Sequence, residues 1–345
     1  MNRYPVKLSA LRRALAPLSG LYALGIRLRN LRYDRSAGAS HPVDLPVISI
    51  GNITVGGTGK TPIVIETVRR LRELGRRPAI LTRGYGAAPG ERSDEVMEFS
   101  QALPDVPVVV DPDRVAATET ARVESGADCL VLDDGFQHRR LRRDLDVVVI
   151  DALDPWGGGW VLPAGRLREP LAGLRRANLL VISRANQVEA LEIKKIEHVL
   201  DERAPDTAIL HATVEPETVV FLDERVEGIG ALGYHSVLPI CGIGNPATFL
   251  ICVAQLAGRV CGELTFRDHQ RYGARHVRKI VDVARRRGAD LVVTTRKDWV
   301  KLAPVWSRLA ATDAPQLARL DVRLELQDAD GVFDEWLRRV LEKRV

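Results

Sequence analysis

A glycine-rich segment constrains the fold more than any other part of the chain. A short run rich in β-branched residues, 46–50, leads into residues 51–61 (GNITVGGTGKT), and apolar residues then recur at helical spacing over 63–71. Strand, glycine loop, Gly-Lys-Thr and helix is the order of a phosphate-binding P-loop. Glycines allow consecutive backbone N–H groups to face one anion, and the helix N-terminus adds a favourable dipole. The segment therefore predicts a nucleoside triphosphate site.

The side chains of this loop have separate expected roles. Lys60 is expected to reach the β- and γ-phosphates, and the Thr61 hydroxyl is expected to ligate Mg²⁺. Thr54 stands six residues before the lysine, where the strict pattern has glycine. The alternative is an ordinary glycine-rich turn with an exposed lysine, which the flanking strand and helix disfavour. The predicted nucleotide-binding residues are Thr54, Val55, Gly56, Gly57, Thr58, Gly59, Lys60 and Thr61.

Size and charge limit the classes of protein to which this chain can belong. At 345 residues it is long enough for two domains. The net charge of +5 suits an anionic partner. However, residues 1–35 carry eight Lys/Arg and one Asp, so the rest of the chain is close to neutral. This distribution disfavours a nucleic-acid-binding surface, and no protein partner is evident.

The cysteine pattern indicates a reducing compartment. Four cysteines occur in apolar surroundings without any C-x-x-C pair, which is typical of core thiols rather than disulfides or zinc ligands. An ATP site also belongs in the cytoplasm. No run approaches the roughly 18 apolar residues that a membrane span requires.

The N-terminal segment allows two interpretations. Residues 14–26 carry no charge and resemble the apolar region of a signal peptide, with 37–39 as a possible cleavage site. The alternative is one or two basic amphipathic helices over 1–35, with Pro17 as a kink or restart. Such a helix suits the surface of an anionic membrane, or it packs on its own domain. We favour the membrane surface. The residues expected on the apolar face are Leu11, Leu15, Leu18, Tyr22 and Ile26.

Alternating strands and helices follow a linker at 36–45. The predicted strands are 47–51, 78–82, 106–110, 129–133, 146–150 and 178–183, and the predicted helices are 61–75, 112–124 and 188–203, with a shorter one near 168–176. This alternation predicts an α/β fold of the P-loop NTPase type, with a doubly wound, mainly parallel sheet. Ligands of such sheets bind at the carboxyl ends of the strands.

The pattern changes near 204–222, where extended segments at 208–214 and 219–222 precede a second alternation. Strands are expected at 236–241, 260–266, 290–295 and 319–325, and helices at 246–257, 274–287, 298–310 and 330–343. We therefore predict a P-loop domain over 36–215 and a smaller α/β domain over 216–345. The two domains are expected to face each other across a cleft.

An apolar run at 129–132 ends in Asp133 and Asp134, which is the form of a Walker B element. A carboxylate at a strand end beside a P-loop can hold Mg²⁺ directly or through water. The pattern does not distinguish which of the two aspartates binds the metal. Four arginines follow within 139–143, either as ligands for acceptor phosphate or headgroups or as a solvated basic loop.

The chain resembles the lipid A 4′-kinases, the tetraacyldisaccharide 4′-kinases of Gram-negative bacteria. The motifs that carry the resemblance are Gly51–Pro62, Thr82–Gly86, Asp133–His138, Leu162–Glu169, Cys241–Pro246, Phe266–His269 and Thr294–Asp298. They lie in the family's order and span nearly the whole chain. Thr54, which departs from the general P-loop pattern, is the residue that this family has there.

The resemblance implies an activity and a location. It implies transfer of the ATP γ-phosphoryl to the 4′-hydroxyl of a tetraacylated glucosamine disaccharide 1-phosphate, a lipid A precursor, with Mg²⁺ as cofactor. It also implies a peripheral protein on the cytoplasmic face of the bacterial inner membrane. The basic N-terminal helix agrees with that location.

The resemblance also implies a carboxylate–histidine pair near the acceptor, matched here by Asp94 and His269, while Glu169 matches a further functional position. Because the two members of the pair would come from different domains, domain closure could assemble them. Val96 replaces a usual proline of the family and Gln270 a usual second histidine, so His269 is the candidate histidine.

Two other classes remain as alternatives. One is a P-loop GTPase or ATPase switch or a metallochaperone-like protein, although residues 295–298 (TRKD) place the lysine one position late for guanine recognition and no Cys/His cluster suggests metal delivery. The other is a cytosolic small-molecule kinase or ligase, for which the basic apolar N-terminus has no evident purpose.

Overall fold

The fold is seen in a computed structural model that describes residues 10–84, 93–244, 246–268, 270–309 and 314–342, with side chains from Ala14 onwards except at Ala37. His269 therefore lies outside the described residues. Two compact units are present. Unit 1 takes Met1–Tyr85, Leu103–Thr213 and Leu324–Val345, and unit 2 takes Gly86–Ala102 and Val214–Arg323.

The elements follow one another as mixed α/β structure. The first half of the chain contains α1 (Ala10–Arg35), β1 (Val47–Asn52), α2 (Lys60–Glu73), β2 (Pro78–Thr82), α3 (Asp94–Ala102), β3 (Val108–Val110), α4 (Arg114–Ser125), β4 (Cys129–Asp133), β5 (Leu145–Asp151), β6 (Leu179–Ser183) and α5 (Ala190–Arg203). The second half contains β7 (Ala208–Phe221), β8 (Val226–Gly228), β9 (Ser236–Cys241), α6 (Pro246–Leu256), β10 (Arg259–Val260), β11 (Leu264–Thr265), α7 (Ala274–Arg287), β12 (Leu291–Thr295), α8 (Arg296–Leu309), β13 (Gln316–Gln327) and α9 (Val332–Glu342).

The strands of unit 1 form a parallel sheet in the order β7-β6-β5-β1-β4-β2-β3. β1 is central, and strands of later sequence position lie on both sides of it. The loop after β1 therefore leaves the sheet near its middle, where the connections diverge to opposite edges and ligands of doubly wound sheets bind. The predicted doubly wound, mainly parallel sheet is confirmed.

Apolar side chains account for the order of these strands. All six residues of β1 and all five of β2, β4 and β6 are buried, as is usual for parallel strands covered on both faces. Clusters of buried residues pack within unit 1, among them one containing Phe136, Ile150 and Ile182 and another containing Leu81 and Leu132. Burial of each such side chain contributes about 1.5–3 kcal/mol.

Unit 2 also combines strands with clusters of buried apolar residues. Its strands run in the order β10-β9-β12-β13-β7, with β11 beside β9 and β8 antiparallel to β7. Among the described residues, Trp299 and Trp306 of α8 contribute to one cluster, and Phe221 and Val293 contribute to another. The four cysteines of the chain are free thiols, and Cys129, Cys241 and Cys261 are buried.

The boundaries of several elements differ from those expected. The sequence pattern predicted no helix between the second and third strands, yet α3 lies there and packs on α8. Where one strand was expected at 260–266, two short strands flank Gly262, whose φ is 118°. The extended segments at 208–214 and 219–222 are parts of one continuous strand, β7.

The division into units also differs from the expected domain ranges. The change of unit after Thr213 is close to the expected boundary at 215. However, α3 belongs to unit 2 because it packs on α8, and α9 belongs to unit 1, where it contacts β5. Such packing joins segments that are remote in sequence, so a linear pattern does not reveal it.

The N-terminal helix is a single element. α1 includes Pro17, at which a kink or restart was expected. Two contacts after the proline fix α1 to unit 1, since the Ser19 hydroxyl donates to Val161 O at 2.9 Å and the Tyr22 hydroxyl donates to Arg168 O at 2.9 Å. None of the helices in the described part of the chain combines the length and apolar character that a membrane crossing requires.

Candidate active site

The glycine loop joins β1 to α2, and its backbone takes conformations that glycine favours. Gly59, immediately before α2, has a φ of 79°, and Gly56 has a φ of 122°. A side chain at either position would be strained. α2 begins directly after Gly59, so Lys60 and Thr61 are its first two residues, as in a P-loop.

Buried polar groups hold the loop in shape. Asn52 Nδ2 donates to Thr54 O at 2.9 Å and to Thr58 Oγ1 at 2.9 Å, and Ser183 Oγ donates to Thr58 O at 2.8 Å. The backbone N–H of Val55 donates to Arg166 O at 2.8 Å. These bonds fix the path of the backbone, so anion binding costs less conformational entropy of the loop.

Thr54 fits because of a glycine on a neighbouring loop. It is buried and forms an isolated bridge with Leu167. A Cβ added to Gly157, whose φ is 55°, would come 3.2 Å from Thr54 Cγ2. The space that Gly157 leaves therefore accommodates the threonine at the position where the general P-loop pattern has glycine.

The predicted acidic pair lies beside the loop. β4 pairs with β1 so that Asp133 is opposite Ile50, and Thr82 Oγ1 donates to Asp133 Oδ2 at 3.2 Å. Asp134 follows in the left-handed region with a φ of 54°. Its carboxylate lies between two cations, with Lys60 Nζ 3.3 Å from Oδ1 and Arg168 Nη1 2.5 Å from Oδ2.

The two aspartates differ in their tendency to ionise. Burial raises the pKa of Asp133 to about 6, although Lys60 opposes the rise. Burial acts against ionisation of Asp134 too, but the charges of Lys60 and Arg168 outweigh it and lower the pKa of that carboxyl to about 2. The Asp134 carboxyl is therefore ionised near neutral pH, whereas neutral pH is close to the pKa of the Asp133 carboxyl.

The donor set fits a magnesium ion. Asp134 Oδ1 is buried and accepts no hydrogen bond of normal geometry, although the Lys60 ammonium is near it. Mg²⁺ prefers oxygen donors and keeps several water and phosphate ligands, so one or two protein oxygens are enough. Among the described residues no cluster of three or more His, Cys, Asp or Glu side chains could hold a metal. Thr61, Asp133 and Asp134 are the residues available for Mg²⁺ here.

Glu169 is fully buried in a network of donors. Its oxygens accept two bonds from Arg176 Nη2, at 2.9 and 3.1 Å, and one from Gln137 Nε2 at 2.9 Å. The Asn30 amide of α1 lies 3.4 Å from Oε2, and Gln137 Nε2 also donates to Asn52 O at 2.8 Å. The Glu169 carboxylate thus connects Asn30 of α1, through Gln137, to Asn52, whose side chain holds the P-loop.

Asp94 is the first residue of α3, in unit 2. Its Oδ2 lies 2.9 Å from Lys301 Nζ. The residue before His269, Asp268, pairs with Lys297 at 2.9 Å. Asp94 lies within the range predicted for the P-loop domain, 36–215, whereas the division into compact units puts it in unit 2.

Comparison with known proteins identifies the family of this chain. A family model described as LpxK, tetraacyldisaccharide-1-P 4′-kinase, matches residues 11–342. The chain belongs to this kinase family.

Several relatives of the kinase carry the same name. A protein named tetraacyldisaccharide 4′-kinase from Anaeromyxobacter sp. (strain Fw109-5) is 41% identical over 334 residues, covering 90% of this chain and 88% of its own. One of the same name from Geobacter metallireducens (strain ATCC 53774 / DSM 7210 / GS-15) is 37% identical over 320 residues, covering 88% and 92%. The solved structure of "apo" form LpxK from Aquifex aeolicus in complex with ATP has a TM-score of 0.73 and 26% identity, and covers 96% of this chain and 99% of that one.

Some residues for which the sequence predicted no role contact the residues of this site. Arg168, on Asp134, and Asn52, on the loop backbone, hold site residues. Arg114 is buried and donates to Asp133 O at 3.3 Å, and burial and the nearby Arg83 charge lower its pKa to about 10. Burial and the charges of Arg83 and Arg114 lower the pKa of His138 to about 4, so this imidazole is neutral near pH 7.

The basic stretch that follows is largely structural. Arg139 pairs with Asp34 at 2.6 Å, Arg140 with Asp113 at 2.9 Å and Arg143 with Asp146 at 2.8 Å. Three of the four arginines in 139–143 are thus partners of acidic side chains of unit 1. For these three the structure favours a role within the kinase itself over a role as ligands for substrate.

Proposed function

We propose that the protein transfers the γ-phosphoryl of ATP to the 4′-hydroxyl of a tetraacylated glucosamine disaccharide 1-phosphate, a step in lipid A biosynthesis. The observation that carries the proposal is a P-loop whose Lys60 lies beside the Walker B carboxylate Asp134, in a chain that belongs to the tetraacyldisaccharide 4′-kinase family across nearly its whole length.

The donor phosphates would lie at the start of α2. Backbone N–H groups of the glycine loop and the N-terminus of α2 would face their oxygens, and Lys60 would move from Asp134 to the β- and γ-phosphates. Thr61 and Asp134 would hold Mg²⁺, which neutralises charge on the β- and γ-oxygens when bound. Asp133, hydrogen-bonded to Thr82, would complete the acidic side of this site.

The acceptor hydroxyl needs a base, and we assign that role to His269. Its imidazole would accept the proton of the 4′-hydroxyl, while Asp94 would orient and stabilise the charged ring. A bond forms between the 4′-oxygen and the γ-phosphorus, and the bond from that phosphorus to the β,γ-bridging oxygen breaks. The electron pair leaves on ADP, and the proton passes from His269 to water.

The membrane surface would be met by α1. Leu15, Tyr22 and Ile26, expected on the membrane face, are partly buried, and Leu18 is exposed. Together with Leu18, four further leucines of α1 are exposed. The five are exposed over 41–68% of each side chain: Leu18, Leu21, Leu24, Leu28 and Leu31. Arg27, Arg32 and Arg35 are exposed on the same helix.

The exposed leucines and arginines suit an anionic lipid surface. The leucines are three or four residues apart and so share one apolar face of the helix, which would enter the headgroup region. Each arginine near an anionic surface adds about 1 kcal/mol of attraction. We therefore assign the protein to the cytoplasmic face of the bacterial inner membrane as a peripheral enzyme.

Labelled ATP tests the proposed reaction. With γ-³²P-ATP, Mg²⁺ and the tetraacylated disaccharide 1-phosphate in detergent micelles, label is expected in the lipid with the wild-type protein and not with Lys60→Ala. Asp128→Asn, a change at an exposed pair with Arg77, is the control and should retain transfer. Label released only as inorganic phosphate would contradict the proposal and indicate a P-loop switch protein.

A further inference from the structure

An ion-pair chain in unit 2 leads from Asp94 into the interior. Lys301 Nζ lies 2.9 Å from Asp94 Oδ2 and 3.9 Å from Asp298 Oδ1. The Lys301 side chain is 8% exposed and belongs to α8, the helix on which α3 packs. A buried ammonium is stable only when it is paired, so this lysine and its two carboxylates depend on one another.

The inner carboxylate already has other partners. Asp298 is fully buried, and its Oδ2 accepts from Gly242 N at 2.8 Å and from Thr295 Oγ1 at 2.9 Å. Its Oδ1 accepts from the Tyr272 hydroxyl at 3.0 Å. Three neutral donors thus compensate Asp298, while Lys301 extends from this fixed group to Asp94.

The fixed group lies where the strands of unit 2 end. Gly242 follows β9, and Thr295 is the last residue of β12. Asp298 holds the ends of these two parallel strands together, and ligands of parallel sheets bind at such ends. Through Lys301, the carboxylate at the start of α3 is held in register with this edge of the sheet.

We infer that Lys301 is a positioning residue for the transfer reaction, because it orients the Asp94 carboxylate from the rigid Asp298 centre. The inference rests on the proposed role of Asp94. It assigns to Lys301 a function in turnover that goes beyond filling a buried position. Loss of the lysine would leave Asp298 bonded and the strand ends intact, but Asp94 would lose this anchor.

Kinetics of single and double variants test this inference. Lys301→Met keeps the length and apolar stem of the side chain and removes the charge. We expect kcat to fall about 10- to 100-fold, as for a misplaced catalytic group. KM for ATP should change less than about twofold, because a group that acts on the transition state alone leaves ground-state binding unchanged. Lys301→Arg should recover part of kcat.

The double variant Asp94→Asn/Lys301→Met separates positioning from general destabilisation. If Lys301 acts through Asp94, the double variant should turn over no more slowly than Asp94→Asn alone. Arg319→Met is the matched control. Arg319 pairs at 3.0 Å with Asp321, and Asp321 still has Arg296 as a partner when Arg319 is replaced. This control removes one cation from a buried carboxylate of the same unit and should leave kcat near wild type.

The outcomes are distinct. Wild-type kcat in Lys301→Met, or losses that multiply in the double variant, would overturn the positioning role. If Asp94→Asn itself retains wild-type kcat, the proposed role of Asp94 is wrong, and the inference about Lys301 is overturned with it. ATP binding and thermal unfolding verify folding of each variant. If Lys301→Met does not fold, Lys301→Gln is read by the same criteria.

Discussion

Lys60 Nζ lies 3.3 Å from Asp134 Oδ1, so the P-loop lysine and the Walker B carboxylate form an ion pair. Arg168 holds the other oxygen of the same carboxylate at 2.5 Å. In the proposed reaction, triphosphate binding would separate Lys60 from Asp134, and the carboxylate oxygen so released would become available to a cation. We therefore expect donor binding and metal binding to be linked through this pair.

Asp134→Asn tests that linkage. The amide has no charge to offer Lys60 or a metal, so we expect kcat to fall at least 100-fold, by analogy with the loss of a group that stabilises transition-state charge. Residual activity should need a higher Mg²⁺ concentration for half its maximum. Steady-state rates across a Mg²⁺ titration measure both effects. Asp128→Asn, at the exposed pair with Arg77 before β4, is the control. An unchanged Mg²⁺ requirement would exclude Asp134 as a metal ligand.

Stability should depend on pH through Asp133. Burial raises its folded-state pKa to about 6, from the ordinary value of 3.8, so the folded state holds this proton more tightly than the unfolded chain. Its contribution to stability is therefore present below pH 3.8 and is lost as pH rises towards 6. Asp133→Asn cannot ionise. Without Mg²⁺, it should gain about 1–3 kcal/mol in free energy of unfolding relative to wild type between pH 4 and 8.

Urea titrations of both proteins at several pH values measure this difference. Asp134 contributes in the opposite sense, because its pKa is lowered to about 2 and its stabilisation is lost as pH falls from about 4. Both proteins contain Asp134, so its effect cancels in the comparison. A stability difference that does not vary with pH would show that the Asp133 carboxyl does not titrate in this range.

Loss of the Glu169 carboxylate should destabilise unit 1. Glu169→Ala removes the buried acceptor of Arg176 and one of the two acceptors of Gln137, and breaking a buried pair from one side typically costs about 3–5 kcal/mol. Chemical denaturation gives the change in free energy of unfolding. Glu119→Ala, which removes an exposed pair with Arg122, should lower the free energy of unfolding far less. Equal effects of the two substitutions would contradict the buried network.

The exposed leucines of α1 should determine binding to lipid. Leu21→Glu/Leu28→Glu adds two negative charges to the exposed apolar row without touching the contacts of Ser19 and Tyr22. We expect the variant to sediment less with vesicles that contain phosphatidylglycerol, while ATP binding is retained. Val123→Glu, at an exposed position of α4, is the control. Undiminished sedimentation would show that α1 does not form the lipid-binding face.

The features that the sequence predicts well are local ones. The P-loop and the acidic pair are short segments that are defined by local sequence, through glycines in one and carboxylates at a strand end in the other. Both lie in the structure where the pattern predicts them. α3 was missed because its nine residues give little periodicity, and the helix depends on packing against α8. Exposed and packed residues of α1 were not separated, because apolar residues occur on both sides of this helix.

Contacts between remote segments could not be predicted in the same way. Arg168 and Asp134 are 34 residues apart, and Lys301 and Asp94 are 207 residues apart. Neither pair has a pattern that identifies its partner, because the fold alone brings them together. The basic stretch at 139–143 shows the converse, since Arg139 and Arg140 pair with Asp34 and Asp113 of remote segments.

The position of the transferred phosphate tests the proposed reaction most directly. The wild-type protein is incubated with ATP, Mg²⁺ and the tetraacylated disaccharide 1-phosphate, and the lipid product is examined by mass spectrometry and by ³¹P–¹H correlation NMR. We predict one added phosphate, coupled to the proton at carbon 4′, and none with Lys60→Ala. A phosphate on another hydroxyl, or hydrolysis of ATP without a phosphorylated lipid, would contradict the assignment.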